Sequence, residues 1–281
     1  MMTRFTPQFT PHFAFARREL MKVGLLGFGR TGRAVASVIL RNPDIRLEWV
    51  IRRTTKLEHR SVPEYLGVES NEPGLIFSKG EFSACELLER QPVDAIIDFS
   101  SESGIDWYGS ASKKNRTAIV SAISHYDVDG MAKLRAVSSG APVLWSPNIT
   151  IGINFMMLAA RTLQSIAPDV DVQIIEEHFR EKAELSGTAC RIANLLGVEE
   201  KSIKEIRAGG IIGNHEVLFG FPYQTVRLRH ESISREAFGN GAIFAARGLM
   251  GRKNGLYRME DLLRPYFSEQ SEDWPISPNL T

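Results

Sequence analysis

The stretch Gly27-Phe28-Gly29-Arg30-Thr31-Gly32 decides how this chain of 281 residues begins to fold. It is a G-x-G-x-x-G turn between a short apolar run at 22–26 and a segment of helical spacing at 30–40. In that context the first glycine permits a tight turn, the second lets the backbone approach a pyrophosphate, and the third permits close helix–strand packing. Because the helix N-terminus attracts the anion, we predict that these residues bind a dinucleotide. A tight turn without a ligand is the alternative.

Outward from this turn, short apolar runs alternate with helical patterns as far as residue 148. Such alternation is typical of parallel strands joined by right-handed crossovers, so we predict an α/β, doubly wound (Rossmann) domain. Strands are predicted at 22–26, 47–51, 93–99, 118–120 and 143–145. Helices are predicted between them at 30–40, 85–90, 104–114 and 131–138.

The pattern changes after residue 148. A helix at 153–166 precedes strands at 170–177, 203–208, 216–219 and 225–230, with one more helix at 188–196. Strands gathered with few helices predict a smaller α+β domain with a mixed sheet. Because an open sheet face needs a cover, we expect a homo-oligomer, dimer or tetramer, through that sheet.

These patterns divide the chain into segments. We predict a dinucleotide-binding domain at 21–148 and 236–268, and a domain for substrate binding and oligomerisation at 149–235. Residues 1–20 carry no acid before Glu19, and we expect an unstructured extension ahead of a start at Met21. An organelle transit peptide is the alternative. Residues 269–281 are predicted to be a polar tail.

Composition excludes several classes of function. A net charge of +1 gives no reason to expect nucleic acid or an anionic membrane as partner. The two cysteines, Cys85 and Cys190, are far apart and form no metal or redox spacing, so a cytoplasmic setting is expected. No apolar run reaches the roughly 20 residues that cross a bilayer.

Two arginines stand where many NAD-binding chains carry an acid for the ribose hydroxyls. Arg52 and Arg53 follow the second predicted strand, about 20 residues past the glycine turn. Guanidinium groups can grip a 2′-phosphate bidentately, so we predict NADPH as cofactor, with NADH possible. A pair of solvated surface arginines is the alternative.

A basic loop follows the apolar run at 170–175. His178, Arg180 and Lys182 alternate with acids there, and Ser186 is a predicted helix start. Histidine holds a transferable proton near neutral pH, and a lysine nearby stabilises developing negative charge or binds a carboxylate. The loop therefore predicts a site where an anionic substrate is protonated while a hydride is delivered. A structural role for His178 is the alternative, and Arg180 is expected to pair with an acid or brace the loop.

With these pieces in order, the chain resembles the 4-hydroxy-tetrahydrodipicolinate reductase (dihydrodipicolinate reductase) family over residues 22–266. Beside the glycine turn, the resemblance rests on the segments 98–100, 146–148, 152–154, 176–188, 207–209 and 255–262. It implies reduction of a cyclic, carboxylated imine by NAD(P)H in lysine and diaminopimelate biosynthesis. It also implies that His178 is the proton donor and that Lys182 assists it.

The resemblance implies binding residues as well. The substrate carboxylate is expected at the helix start formed by Ser186, Gly187 and Thr188, beside Phe179. Further cofactor contacts are expected from Ser100, Ser121, Ala122, Ile123, Ser146, Pro147 and Asn148.

The chain departs from the family pattern near the expected reacting atoms. Phe179 replaces a second histidine, and residues 121–124 replace a Gly-Thr-Thr-Gly segment whose threonine hydroxyls alanine and isoleucine cannot supply. These departures favour one alternative, an NADPH-dependent reductase or dehydrogenase of another imino, amino or keto acid. A non-catalytic dinucleotide-binding paralogue is the other.

Other polar residues are interpreted as structural. His215 and His230 fall in predicted strands, and their spacing shows no third ligand, so no metal site is predicted. Cys190 lies in an apolar helical pattern and is expected to pack. Residues 147–148 and 232–235 are hinge candidates.

Overall fold

The computed structural model describes residues 20–268, so the predictions for 1–19 and for the tail at 269–281 lie outside the described residues. Eleven strands occur in this part of the chain. They are β1 (Met21–Leu26), β2 (Ile45–Arg52), β3 (Leu75–Ser78), β4 (Ala95–Asp98), β5 (Ala118–Ser121), β6 (Pro142–Trp145), β7 (Asp171–His178), β8 (Lys204–Arg207), β9 (Asn214–Phe221), β10 (Gln224–Glu231) and β11 (Gly255–Tyr257).

Ten α-helices connect and cover these strands within the described residues. They are α1 (Arg30–Leu40), α2 (Val62–Leu66), α3 (Ala84–Arg90), α4 (Gly104–Asn115), α5 (Val128–Ser138), α6 (Ile151–Ile166), α7 (Gly187–Leu196), α8 (Glu236–Leu249), α9 (Met259–Leu263) and α10 (Pro265–Ser268). A short 3-10 helix lies at Glu200–Ser202.

Side-chain caps explain where several helices begin. Ser83 and Glu86 form a reciprocal capping box ahead of α3. The side chain of Asp127 accepts from the N–H of Gly130 at 2.7 Å at the start of α5. Such caps satisfy N–H groups that have no partner inside the helix.

Seven strands form a parallel sheet in the order β11-β6-β5-β4-β1-β2-β3. The order reverses between β1 and β4, which makes the sheet doubly wound, and such sheets bind ligands where the order reverses, beyond the carboxyl ends of the strands. Helices cover both faces, with α1 and α8 on one and α3, α4 and α5 on the other. The strands are therefore apolar on both faces, as parallel strands usually are.

Four strands form a second sheet in the order β10-β9-β7-β8. β7 pairs parallel with β8, while β7–β9 and β9–β10 are antiparallel, so the sheet is mixed. Helices α6 and α7 pack on one face through side chains such as Ile153, Ile192 and Phe219. The predicted fold class, a Rossmann domain with a smaller mixed-sheet domain, is confirmed.

Several short elements were not predicted from the sequence. β3 has four residues and β11 has three, and they add the two edges of the larger sheet. Each pairs on one side only, and runs this short carry little periodic signal. No helix among residues 20–268 combines the length and the apolar character needed to span a membrane.

Candidate functional site

The glycine turn has the geometry that a dinucleotide requires. Gly27 has a φ of +94°, and a Cβ there would lie 2.6 Å from the carbonyl oxygen of Phe99. A Cβ on Gly32 would lie 2.0 Å from the carbonyl oxygen of Gly27, so only glycine lets α1 begin this close to β1. A Cβ on Gly29 would meet nothing within 4 Å, and Gly29 provides no side-chain cap for α1. The N–H groups at this helix start are therefore left for an anion.

A cleft of about 680 Å³ lies beyond the carboxyl ends of β1, β4, β5 and β6. Five residues predicted to contact the cofactor line it, namely Thr31, Ser100, Ala122, Ile123 and Pro147. The other lining residues are Phe99, Ser101, Glu102, Ser103, Ser124, His125, Ile149 and Phe238. This volume and position suit a nicotinamide dinucleotide at the switch point of the sheet.

A buried carboxylate supports one wall of the cleft. Asp98, the last residue of β4, accepts from the N–H and Oγ of Ser100 at 2.8 and 2.6 Å and from the hydroxyl of Tyr108 at 2.9 Å. Burial raises the pKa of Asp98 to about 6, although these hydrogen bonds act in the opposite direction. Asp98 thus fixes the loop that carries Ser100 into the cleft.

Three predicted cofactor residues direct their side chains into the protein. Phe28 is buried with its ring 5.7 Å from that of Tyr65. The hydroxyl of Ser121 shares a 2.9 Å hydrogen bond with Tyr126, and that of Ser146 donates to the carbonyl of Asn148 at 2.7 Å. For Phe28, Ser121 and Ser146 only the backbone remains for a ligand.

The arginines predicted to select NADPH lie at the end of β2. Arg52 is half-buried and donates to the carbonyl oxygen of Lys56. Arg53 and Arg30 are exposed. Arg53 and Arg30 are therefore free to meet a phosphate, and the role of Arg52 and Arg53 in selecting NADPH stays a prediction.

Asn148 connects the cleft to the second sheet. Its Nδ2 donates to Oγ1 of Thr188, in the first turn of α7, at 3.2 Å. Its Oδ1 accepts from the N–H and Oγ1 of Thr150 at 3.2 and 3.0 Å. Because Pro147 lines the cleft, the predicted substrate-binding helix start lies directly beside the predicted cofactor-binding segment.

The start of α7 is capped and presents free backbone groups. The hydroxyl of Ser186 is buried and accepts from the N–H of Ala189 at 3.0 Å. A Cβ on Gly187 would meet nothing within 4 Å, so the first turn is open to an approaching ligand. The backbone amides near Gly187 and Thr188 are thus the groups that can hold a carboxylate.

His178 ends β7 and is buried, with an exposed fraction of 7%. Its Nδ1 lies 3.4 Å from Oε2 of Glu176, which makes an ion pair when the ring is protonated. Burial lowers the pKa of His178, and the charges of Lys182 and Arg207 lower it further, while Glu176 raises it. A Cβ on Gly213 would lie 2.9 Å from Nε2, so this glycine leaves space at the second ring nitrogen.

The rest of the basic loop forms a turn after β7. The N–H of Lys182 donates to the carbonyl of Phe179 at 3.1 Å, and its Nζ donates to the carbonyl of Glu184 at 2.6 Å. The side chain of Phe179 is half-exposed. No ion pair within residues 20–268 includes Arg180, but its N–H donates to the carbonyl of Gly209 at 3.1 Å. Neither His178 nor Lys182 is among the described residues that line the cleft.

A charged cluster that the sequence analysis missed surrounds His178. Glu176 is fully buried, accepts from Nη2 of Arg207 at 2.7 Å and lies 4.0 Å from Nε2 of His215. Burial would raise the pKa of Glu176, but hydrogen bonds from Ser186 and Arg207 leave it below its usual range. The sequence spacing shows no third ligand beside His215, whereas the pairing of β7 with β9 places Glu176 next to His215.

The donor atoms of this cluster suit an ion-pair network better than a metal. Ligand atoms of Glu176, His178 and His215 lie within 4.8 Å of one another. However, the guanidinium of Arg207 occupies one carboxylate oxygen of Glu176, and Nε2 of His215 shares a 2.9 Å hydrogen bond with Ser186. A cation there would face the Arg207 charge and displace these bonds.

Family models described as "Dihydrodipicolinate reductase, N-terminus" and "Dihydrodipicolinate reductase, C-terminus" match residues 21–149 and 152–263. The chain belongs to the dihydrodipicolinate reductase family. The resemblance stated from the sequence is thereby confirmed, as is its assignment to the NAD(P)H-dependent oxidoreductases. Membership also implies a nicotinamide dinucleotide as cofactor, which fits the open helix start beside Gly29.

Relatives and solved structures agree with this membership. A 4-hydroxy-tetrahydrodipicolinate reductase of Caldanaerobacter subterraneus subsp. tengcongensis is 27% identical over 259 residues, covering 84% of this chain and 95% of the relative. One of Clostridium novyi is 31% identical over 193 residues, covering 61% and 77%.

The solved structures support the fold alone, because their sequence identities are low. Dipicolinate-bound dihydrodipicolinate reductase from Paenisporosarcina sp. TG-14 matches with a TM-score of 0.70 and 20% identity, over 85% of this chain and 97% of that one. Amine dehydrogenase from Mycobacterium smegmatis matches with a TM-score of 0.59 and 11% identity, over 85% and 95%.

Proposed function

We propose that this chain is an NADPH-dependent 4-hydroxy-tetrahydrodipicolinate reductase of lysine and diaminopimelate biosynthesis. The observation that carries the proposal is the hydrogen bond from Asn148 to Thr188 at 3.2 Å. It joins the end of the dinucleotide cleft to the start of α7, which is suited to a carboxylate. His178 ends β7, the strand that precedes this helix in the chain. This contact supports a reaction in which a hydride donor and an acidic substrate are bound side by side.

The residues divide the reaction between the two sheets. When bound, the nicotinamide cofactor supplies the hydride. The glycine turn and the start of α1 hold its pyrophosphate, and the amides of Gly187 and Thr188 hold a substrate carboxylate. His178 donates the proton from Nε2, because Nδ1 faces Glu176 and Gly213 leaves space at Nε2. Lys182 stabilises the negative charge of the substrate.

His178 and Lys182 reach the cofactor by closure of the cleft in this proposal. Neither side chain lines the cleft, while residues 147–148 cross between the two sheets beside it. Closure about such a crossing brings the basic loop over the nicotinamide and excludes water.

Oxidation of NADPH with freshly generated 4-hydroxy-tetrahydrodipicolinate tests the proposal against a panel of imino and keto acids. We expect the highest kcat/KM with the dicarboxylated imine. Good turnover of another acid, with none of this imine, would establish the second candidate, a reductase of a different imino or keto acid. The apolar wall formed by Ala122 and Ile123, together with Phe179, favours that candidate.

The preference for NADPH is proposed to rest on the arginines after β2. We expect Arg53→Asp and Arg52→Asp each to raise the KM for NADPH by about tenfold or more, since each removes a partner of a 2′-phosphate. The same change at Arg135, an exposed arginine of α5, is the control. Equal kcat/KM for NADPH and NADH in the unmodified enzyme contradicts this part of the proposal.

The open face of the four-stranded sheet is proposed to bind a second copy of the chain. This face carries Arg227 and Arg229, which pair with Glu216, while Glu177 lies 3.2 Å from Arg229. Ile206 of β8 is 44% exposed. Sedimentation equilibrium is expected to show a dimer or tetramer, and a monomer at micromolar concentration contradicts it.

A further inference from the structure

Glu176 contacts three functional segments with one carboxylate. Oε1 accepts from Nη2 of Arg207 on β8 at 2.7 Å. Both oxygens accept from the N–H of Ser186, at 3.3 and 3.1 Å, where α7 is about to begin. Oε2 lies 3.4 Å from Nδ1 of His178, two residues further along β7. The side chain has no exposed surface.

A buried charge of this kind is stable only when hydrogen bonds and an opposite charge replace the lost water. Arg207 supplies the charge, and the Ser186 amide supplies a hydrogen bond that also determines where the first turn of α7 lies. Removing either partner leaves an uncompensated group in the interior. The carboxylate is therefore fixed in position, and so are the groups that bind it.

We propose that Glu176 is a positioning residue that holds the His178 imidazole and the first turn of α7 in one fixed arrangement. The proton donor and the carboxylate-binding amides then keep a constant separation while the cleft opens and closes. This inference rests on the proposed function, because it assigns Glu176 to the same reaction.

The surroundings of His178 give the proposal a pH signature. The ionisable groups that face its ring are Glu176 on β7, His215 on β9, Arg207 on β8 and Lys182 in the basic loop. His230 on β10 acts on His215. Of these groups, Glu176 raises the pKa of His178, whereas Lys182 and Arg207 lower it. Loss of the Glu176 charge therefore shifts the titration of His178 to lower pH.

The test uses the full chain and four variants. Glu176→Gln removes the charge with little change of shape. Glu177→Gln is the matched control, because Glu177 instead pairs with Arg229 and with Asn214 at 2.9 Å. The double variant Glu176→Gln/Arg207→Gln leaves no buried charge without a partner. His178→Gln assigns the NMR signal of the His178 ring.

For Glu176→Gln we expect the NMR titration of His178 and the alkaline limb of kcat/KM to move to lower pH. We also expect kcat/KM for the imine to fall about 10- to 100-fold, the loss found when a carboxylate that orients a metal-bound histidine is removed. The KM for NADPH is expected to stay unchanged, and Glu177→Gln is expected to keep the titration of His178 and the pH profile of the unmodified protein. A folded Glu176→Gln variant with the unmodified titration and pH profile overturns the proposal.

If Glu176→Gln does not fold, two further measurements test whether Glu176 is a positioning residue. The folded double variant is expected to keep the loss of kcat/KM, and normal activity there overturns the proposal. In the unmodified protein, nitrogen chemical shifts are expected to place the hydrogen of neutral His178 on Nδ1, facing Glu176, and a hydrogen on Nε2 is the contrary result. Because the NMR readouts need no turnover, they stay valid even if the imine proves not to be the substrate.

Discussion

The two sheets of this protein differ in where they bury ionisable side chains. The seven-stranded sheet is largely apolar inside, and its fully buried acid, Asp98, stands at the end of a strand beside the cleft. The four-stranded sheet encloses Glu176, His178 and His215 on neighbouring strands. The first sheet can hold its ligand with backbone groups, since the cofactor brings its own reactivity. In the proposed reaction the second sheet supplies the proton, which gives the ionisable groups in its interior a role.

The most direct test of this difference between the two sheets is to remove His178, the proposed proton donor. We expect His178→Gln to lower kcat by about 10²- to 10⁴-fold, the usual contribution of general acid catalysis. The Kd for NADPH is expected to stay unchanged, because the cleft is built by the other sheet. Stopped-flow rates and calorimetric titration measure the two quantities. Glu181→Gln, in the same loop, is the control, and an unaltered rate in His178→Gln refutes the assignment.

Two glycine substitutions separate folding from ligand binding in the first sheet. Gly32→Ala places a methyl 2.0 Å from a backbone oxygen, so we expect a loss of stability of about 3 kcal/mol or more. In Gly29→Ala the added methyl would meet no atom within 4 Å, and the backbone at this position has an ordinary φ of −79°. We expect it to keep the thermal stability and to weaken NADPH binding, because the methyl occupies the approach of the pyrophosphate. Equal stability of the two variants contradicts this division.

A smaller effect is expected from crowding the second sheet beside the proton donor. In Gly213→Ala the added methyl lies 2.9 Å from Nε2 of His178, and the ring must shift. We expect kcat to fall about tenfold, a displacement effect smaller than loss of the ring itself. The Tm is expected to change little, since the backbone of Gly213 needs no positive φ. A kcat equal to that of the unmodified enzyme means that Nε2 is not the transferring atom.

The interior of the second sheet also predicts a pH dependence of stability. Burial lowers the pKa of His215 to about 4 from its ordinary 6.5, so between these values the unfolded chain binds more protons than the folded one. His215 therefore makes the free energy of unfolding decrease as the pH falls from about 6.5 to about 4. Denaturant titrations should show a shallower decrease in His215→Asn. The same slope in both proteins counts against this explanation.

The sequence predicted the larger sheet well because its signals are local. A turn such as 27–32 and a buried strand such as β4 each show their pattern within a few residues. The elements missed, β3 and β11, owe their conformation to pairing with a neighbour at the sheet edge. Local sequence could not provide that information.

The candidate site was less predictable for the same reason. His178 and Lys182 stand out in the sequence, but the proximity of Glu176 to His215 depends on the register of β7 and β9, 39 positions apart. The inward direction of Phe28 and Ser121 likewise depends on partners, Tyr65 and Tyr126, that the local pattern does not identify. Only the pairing of the strands shows which residues surround His178.

The hydrogen bond between Asn148 and Thr188 also bears on how the enzyme moves. It lies beside the place where the backbone crosses from one sheet to the other, so in the proposed closure the first turn of α7 would lie close to the pivot. Atoms near a pivot travel short arcs, while the outer rims of both halves sweep long ones. A modest swing can thus shut out solvent at the periphery while the substrate carboxylate keeps its alignment at the centre.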